Sequence, residues 1–189
     1  MAKITLATTW LDGCSGCHMS LLDIDEVLLD LADKIDLLYG PLVDGKIFPD
    51  HVDVTLVEGA VSSEADQKNI LNIREKTGLL VSFGDCAITA NVPGMRNRYP
   101  VDAVLHRVYV ENAEFALLDK SGGKDDHLGA MSFHTVPKLY RMARPVHEFV
   151  RVDVFLPGCP PPSAAIVFLV TELLAGRIPE MGKLSRFGA

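Results

Sequence analysis

Four cysteines are the residues in this sequence best able to do chemistry, and they use up the chain's supply. Two of them, Cys14 and Cys17, stand three positions apart in the loop Asp12-Gly13-Cys14-Ser15-Gly16-Cys17-His18. The other two are single: Cys86 in Phe83-Gly84-Asp85-Cys86-Ala87, and Cys159 in Leu156-Pro157-Gly158-Cys159-Pro160-Pro161. Each loop follows an apolar run that reads as a buried strand. If those strands lie parallel in one sheet, the loops leave from one edge and bring four thiolates to one point. That is a full ligand set for one metal centre. A C-x-x-C pair alone is shared by redox dithiols, zinc sites and iron–sulfur sites. Structural zinc more often uses two paired knuckles, and a redox dithiol has no need of Cys86 or Cys159. One pair plus two singles suits a 4Fe–4S cluster, with glycines 13, 16, 84 and 158 letting backbone N–H groups approach the sulfurs. Iron–sulfur, zinc and dithiol chemistry all remain open at this level.

The elements that must position these thiols alternate. Lys3 to Leu11 reads as a first strand, and Met19 to Lys34 as a helix with apolar residues at helical spacing. Ile35 to Leu38 is a second strand. Val52 to Val57 is a third, ending at Glu58-Gly59. Ser63-Glu64-Ala65-Asp66 opens a second helix that runs to about Lys76 and is stopped by Gly78. Leu79 to Phe83 and Val152 to Leu156 are the fourth and fifth strands, delivering Cys86 and Cys159. Pro161-Pro162-Ser163 starts an apolar helix to Leu174, ended by Gly176. Such alternation predicts an α/β fold: a flavodoxin-like, doubly wound, mostly parallel five-stranded sheet of order 2-1-3-4-5. Residues 91–150 form an irregular insertion before the last strand, with a basic loop at Arg96 and Arg98 and a polar turn over Ser121–Asp126.

Composition narrows the class. At 189 residues the chain is read as a single domain, 1–189, with 48% apolar residues and a formal charge of −7. That acidity argues against nucleic acid as a partner. No signal peptide and no membrane-spanning run is read, so the expected location is the cytoplasm, where cysteine sets bind metals or catalyse rather than form disulfides.

Thr8-Thr9-Trp10-Leu11-Asp12-Gly13-Cys14-Ser15-Gly16-Cys17-His18-Met19-Ser20 resembles the small subunit of a NiFe hydrogenase. So do Val57-Glu58-Gly59-Ala60, Gly84-Asp85-Cys86-Ala87 and Pro157-Gly158-Cys159-Pro160-Pro161. More narrowly, the set is similar to that of cytoplasmic, bidirectional, NAD(P)-linked hydrogenases. The resemblance runs from the first strand to the last helix, includes Pro145-Val146-His147-Glu148, and is weakest between Arg98 and Met142. It implies that Cys14, Cys17, Cys86 and Cys159 hold one 4Fe–4S cluster. It also implies that the NiFe centre sits in a large subunit, and that electrons pass to diaphorase subunits carrying FMN, further iron–sulfur clusters and the NAD(P) site. No cysteine follows Cys159, so one cluster is the expected ceiling.

Side roles are weighed on the same basis. Glu58 reads either as a solvated or capping carboxylate, or as a carboxylate beside the cluster. In the second role it accepts hydrogen bonds, helps move protons, or binds iron when the cluster is oxidised. His18 is expected to be packed or exposed rather than a ligand. Trp10 is as much a core residue as a contact, and Arg96 with Arg98 reads as solvated surface. Two other readings stand beside the hydrogenase: the cluster-bearing subunit of an NADH:quinone oxidoreductase-like complex, whose first motif has adjacent cysteines, and a zinc-stabilised assembly module. An FMN carrier fits the fold, but cysteines stand where a phosphate-binding loop would be expected.

Overall fold

The computed structural model describes residues 3–111, 137–184 and 187. The polar turn read at Ser121–Asp126 lies outside the described residues. Five strands form one parallel sheet: β1 (Ile4–Trp10), β2 (Ile35–Tyr39), β3 (Val52–Glu58), β5 (Thr77–Phe83) and β7 (Val154–Leu156). Their spatial order is β2-β1-β3-β5-β7, which is 2-1-3-4-5 when only the sheet's own strands are counted. The expected topology is therefore the observed one. Strands at the centre of such a sheet are covered on both faces and lose polar alternation. β3 shows this, with every residue buried except Asp53.

Helices fill both faces. They are α1 (Gly16–Leu22), α2 (Val27–Ala32), α3 (Glu64–Lys76), α4 (Asp85–Thr89), α5 (Asn91–Gly94), α6 (Val101–His106) and α7 (Ser163–Leu174). One core joins Leu56, Val81, Phe83 and Leu156 to Leu21 of α1 and to Ile166 and Leu169 of α7. A second joins Val57, Leu80 and Val61 to Ile70 and Ile73 of α3. The apolar run of α7 is thus answered by Ala165, Ile166, Leu169 and Val170, all buried.

α3 begins with a reciprocal cap. Ser63 Oγ accepts the Asp66 N–H at 3.2 Å, and the Asp66 carboxylate accepts the Ser63 N–H at 2.9 Å. Its end differs from expectation. Gly78 does not stop the helix; Thr77 is already extended and begins β5. The Arg74 guanidinium closes the junction by donating to the carbonyls of Thr77 and Gly78 and to the Asp153 carboxylate.

The single helix expected over Met19–Lys34 is two. The chain turns at Asp25, whose φ is +50°, a conformation that aspartate tolerates better than most residues. The turn lets Leu21 and Ile24 both enter the core, while α2 buries none of its residues. A short antiparallel pair, β4 (Val61–Ser63) with β6 (Leu139–Arg144), was not anticipated. Arg96 is no free surface cation: it donates to the Tyr140 and Ser62 carbonyls at 3.0 and 3.2 Å and so ties β6 to β4. Asn97 binds the Ala143 backbone through both ends of its amide. Among the described residues no helix is long and apolar enough to cross a membrane.

Candidate metal centre

The loops after β1, β3, β5 and β7 meet at the carboxyl edge of the sheet, where ligands of doubly wound folds bind. The first two are clamped together. Leu11 N–H donates to the Glu58 carbonyl at 2.9 Å, and Asp12 and Ala60 exchange backbone bonds of 3.0 and 2.7 Å. Gly59 makes this approach feasible: its φ is +89°, and a Cβ there would fall 2.7 Å from the Asp12 carbonyl oxygen.

From that clamp the chain enters Cys14 and turns at Ser15, whose φ is +66° and whose side chain caps nothing. The first N–H groups of α1 therefore need other acceptors. Gly16 N–H donates to Cys14 Sγ at 3.4 Å. His18 N–H donates to Glu58 Oε2 at 3.1 Å. The same carboxylate oxygen also meets His18 Nδ1 in a short contact. Glu58 and His18 are 1% and 3% exposed, so the solvated reading of Glu58 is wrong and the packed reading of His18 is right. Glu58 supplies from β3 the cap that Ser15 does not.

The other two loops are laced to each other. Gly84 N–H donates to the Leu156 carbonyl at 2.8 Å, and Asp85 N–H to the Gly158 carbonyl at 2.9 Å. In return Gly158 N–H donates to Asp85 Oδ1 at 2.7 Å. Asp85 was not singled out from the sequence; its place between a glycine and Cys86 was the signal available. The Cys159–Pro160 peptide is cis. Ser20 Oγ donates to the Pro161 carbonyl at 2.5 Å, fastening α1 to the Cys159 loop. Trp10, 50% exposed, is not a core residue and stands beside the clamp.

These fastenings bring all four thiols into one another's field. Cys17 is pushed far above the ordinary thiol range, first by burial and then by the charges of Glu58, Cys86, Cys14 and Cys159. Cys86 is raised by burial, partly relieved by a hydrogen bond from the Val92 backbone, with Cys159, Cys14 and Glu58 adding to the rise. Two buried thiols that resist ionising by themselves, Cys17 and Cys86, suit a positive centre whose binding expels their protons. Cys17 and Cys86 form the buried wall of the site; Cys14 and Cys159 are exposed at its lip. Gly84 passes so close that a Cβ on it would fall 2.2 Å from Cys17 Sγ.

The family described as "NADH ubiquinone oxidoreductase, 20 Kd subunit" matches residues 14–173. Subunit delta of the NAD-reducing hydrogenase HoxS of Cupriavidus necator is 39% identical over 176 residues, which cover 93% of this chain and 80% of that one. The chain belongs to the NiFe-hydrogenase small-subunit family. Its fold agrees with a chain in the crystal structure of an NAD+-reducing [NiFe]-hydrogenase in the H2-reduced state. The TM-score is 0.85 at 35% identity, with 98% of this small subunit and 99% of that chain covered. A component of the F420-non-reducing hydrogenase vhu of Methanocaldococcus jannaschii is 34% identical over 170 residues, 89% of this small subunit and 55% of its own length. The small subunit thus spans little more than half of that relative.

Proposed function

We propose that the chain is the electron-relay small subunit of a cytoplasmic, NAD(P)-linked NiFe hydrogenase. In this reading Cys14, Cys17, Cys86 and Cys159 hold one 4Fe–4S cluster. The observation that carries it is the convergence of four thiols from three loops within one another's field at the carboxyl edge of the sheet. When bound, such a cluster takes up and gives back one electron at a time. The chain's own residues do the rest. β1, β5 and β7 fix the loops, Gly16 N–H and the Val92 backbone direct hydrogen bonds to sulfur, and Phe83 with the prolines after Cys159 limits water. Hydrogen bonds to sulfur and burial are the levers that set a cluster potential.

The relay joins the NiFe centre of a large subunit to diaphorase subunits carrying FMN and iron–sulfur clusters. It couples reversible hydrogen oxidation to NAD(P)+ reduction. No bond of a substrate is broken on this chain. Glu58 serves beside the cluster: it holds the first turn of α1, and in an oxidised state its carboxylate is an oxygen donor in reach of the thiol cage.

The test is iron, zinc and acid-labile sulfide per chain on the small subunit purified without oxygen, with hydrogen-dependent NAD(P)+ reduction assayed on the complex. About four iron and four sulfide are expected on the small subunit. About one zinc without sulfide would overturn the reading in favour of an assembly module.

A further inference from the structure

The acidity of this chain is concentrated in one place. Residues 23–50 contain eight of its 25 acidic residues and two of its 18 basic ones, so all but one unit of the formal −7 lies there. All eight acidic side chains are exposed. Among the described residues only Asp50 meets a cation, Lys76 at 3.4 Å. Asp30, Asp33, Asp36 and Asp44 have no ion-pair partner among the described residues.

This stretch builds one flank of the molecule: α2, β2 and the loop into β3. β2 ends the main sheet, with no strand against its outer side among the described residues. Large apolar side chains stand among the charges. Leu29 and Ile47 are 75% and 87% exposed, Leu42 is 50% exposed, and Leu28 and Leu37 are each 37% exposed. No residue of α2 is fully buried. The helix packs Val27 and Leu31 against the core but leaves Leu28 and Leu29 in solvent, and this outer side with the open sheet edge is what an additional surface would complete.

Charge decides what kind of surface. A second copy of this chain would set the same acidic flank against itself, and like charges facing each other cost several kcal/mol in an interface. Nucleic acid and anionic lipid are repelled for the same reason. We propose that the α2–β2 flank docks a protein partner whose contact face is basic around an apolar centre. In the multisubunit complex of the preceding reading, on which this rests, that partner belongs to the NAD(P)-reducing module.

The experiment uses the complex purified through a tag on the large subunit. Wild type is compared with the triple charge reversal Asp30→Lys, Asp33→Lys, Asp36→Lys and, separately, with Leu29→Ser plus Ile47→Ser. At about 0.05 M salt the wild-type complex is expected to carry the NAD(P)-reducing chains. It should lose them at about 0.5 M, where charge is screened within a few ångströms. The triple variant should lack them at both, with hydrogen-dependent NAD(P)+ reduction down about tenfold or more and hydrogen-dependent viologen reduction by the remaining large and small subunits unchanged. The serine variant should show weakened retention at low salt. The proposal is overturned if both variants keep the chains with wild-type salt dependence, or if the large subunit is what they lose. Absence of iron and of viologen reduction in the wild type would instead sink the relay reading, and subunit retention, scored by mass, would still report on the flank.

Discussion

Replacing Gly84 by alanine tests the thiol cage at its tightest point. The residue has φ +85° and ψ 163°, a region that only glycine occupies comfortably, so any side chain there costs about 1–3 kcal/mol in the backbone. The new methyl would also fall 2.2 Å from Cys17 Sγ, whereas ordinary van der Waals contact begins at 3.4 Å. Cys17 would have to retreat by about 1 Å, and overpacking of a tight site adds about 1–3 kcal/mol. Cys17 is held from behind by α1, whose first turn is tied to Glu58, so the retreat must open the cage. The expected outcome is a chain with less than half the wild-type iron and sulfide and an altered or absent electron paramagnetic resonance signal after reduction. Gly176→Ala is the control. That residue also has a positive φ, +71°, but nothing lies within 4 Å of the added carbon. It should cost about 1–2 kcal/mol of strain and no iron. Full iron and an unchanged signal in Gly84→Ala would refute the reasoning. So would equal iron loss in both variants, because strain alone would then account for it.

Three further outcomes follow from other contacts. Asp85→Ala leaves the Gly158 N–H without its acceptor and should destabilise the Cys159 loop by about 1–3 kcal/mol, read as faster iron loss to a chelator, while Asp85→Asn keeps an acceptor and most of the iron. Ser63→Ala removes the α3 cap; a loss of about 1 kcal/mol and a fall in Tm of about 2–4 °C are expected, restored by Ser63→Asn. Burial opposes ionisation of Asp153, but the Leu80 N–H, the Arg74 hydrogen bond and the Arg74 charge outweigh it and hold its carboxyl below the usual range. A depressed folded pKa gives stability that is present above the unfolded value of about 3.9 and lost as pH falls through the folded one. Denaturant unfolding should therefore show Asp153→Asn less stable than wild type at neutral pH, with the gap closing in acid; a constant gap would count against the pair.

The strands, their order and the four thiols were legible because local chemistry and global fold agree. β-branched and apolar runs end near glycines, and three of the five deliver the cysteines. What escaped was set by tertiary contact. The helix period over Met19–Lys34 continues unbroken, yet the chain turns at Asp25 because burying Leu21 and Ile24 together outweighs helix continuity. Arg96 looks like a surface cation until Ser62 and Tyr140 are brought beside it. Gly78 has the residue type of a helix stop, but Arg74 caps the carbonyls first. The pairing of Glu58 with His18 spans 40 positions in sequence, and no short-range pattern reports it.

A cage with two thiols at the back and two at the front has a direction of filling. Cys17 and Cys86 lie behind the glycine turns, so nothing large enters from the core side; the opening is bounded by Cys14 and Cys159. On the four-thiol assignment, iron and sulfide would enter past this exposed lip, and any partner seated over it would close the route by which they came. Loading would then have to precede docking there.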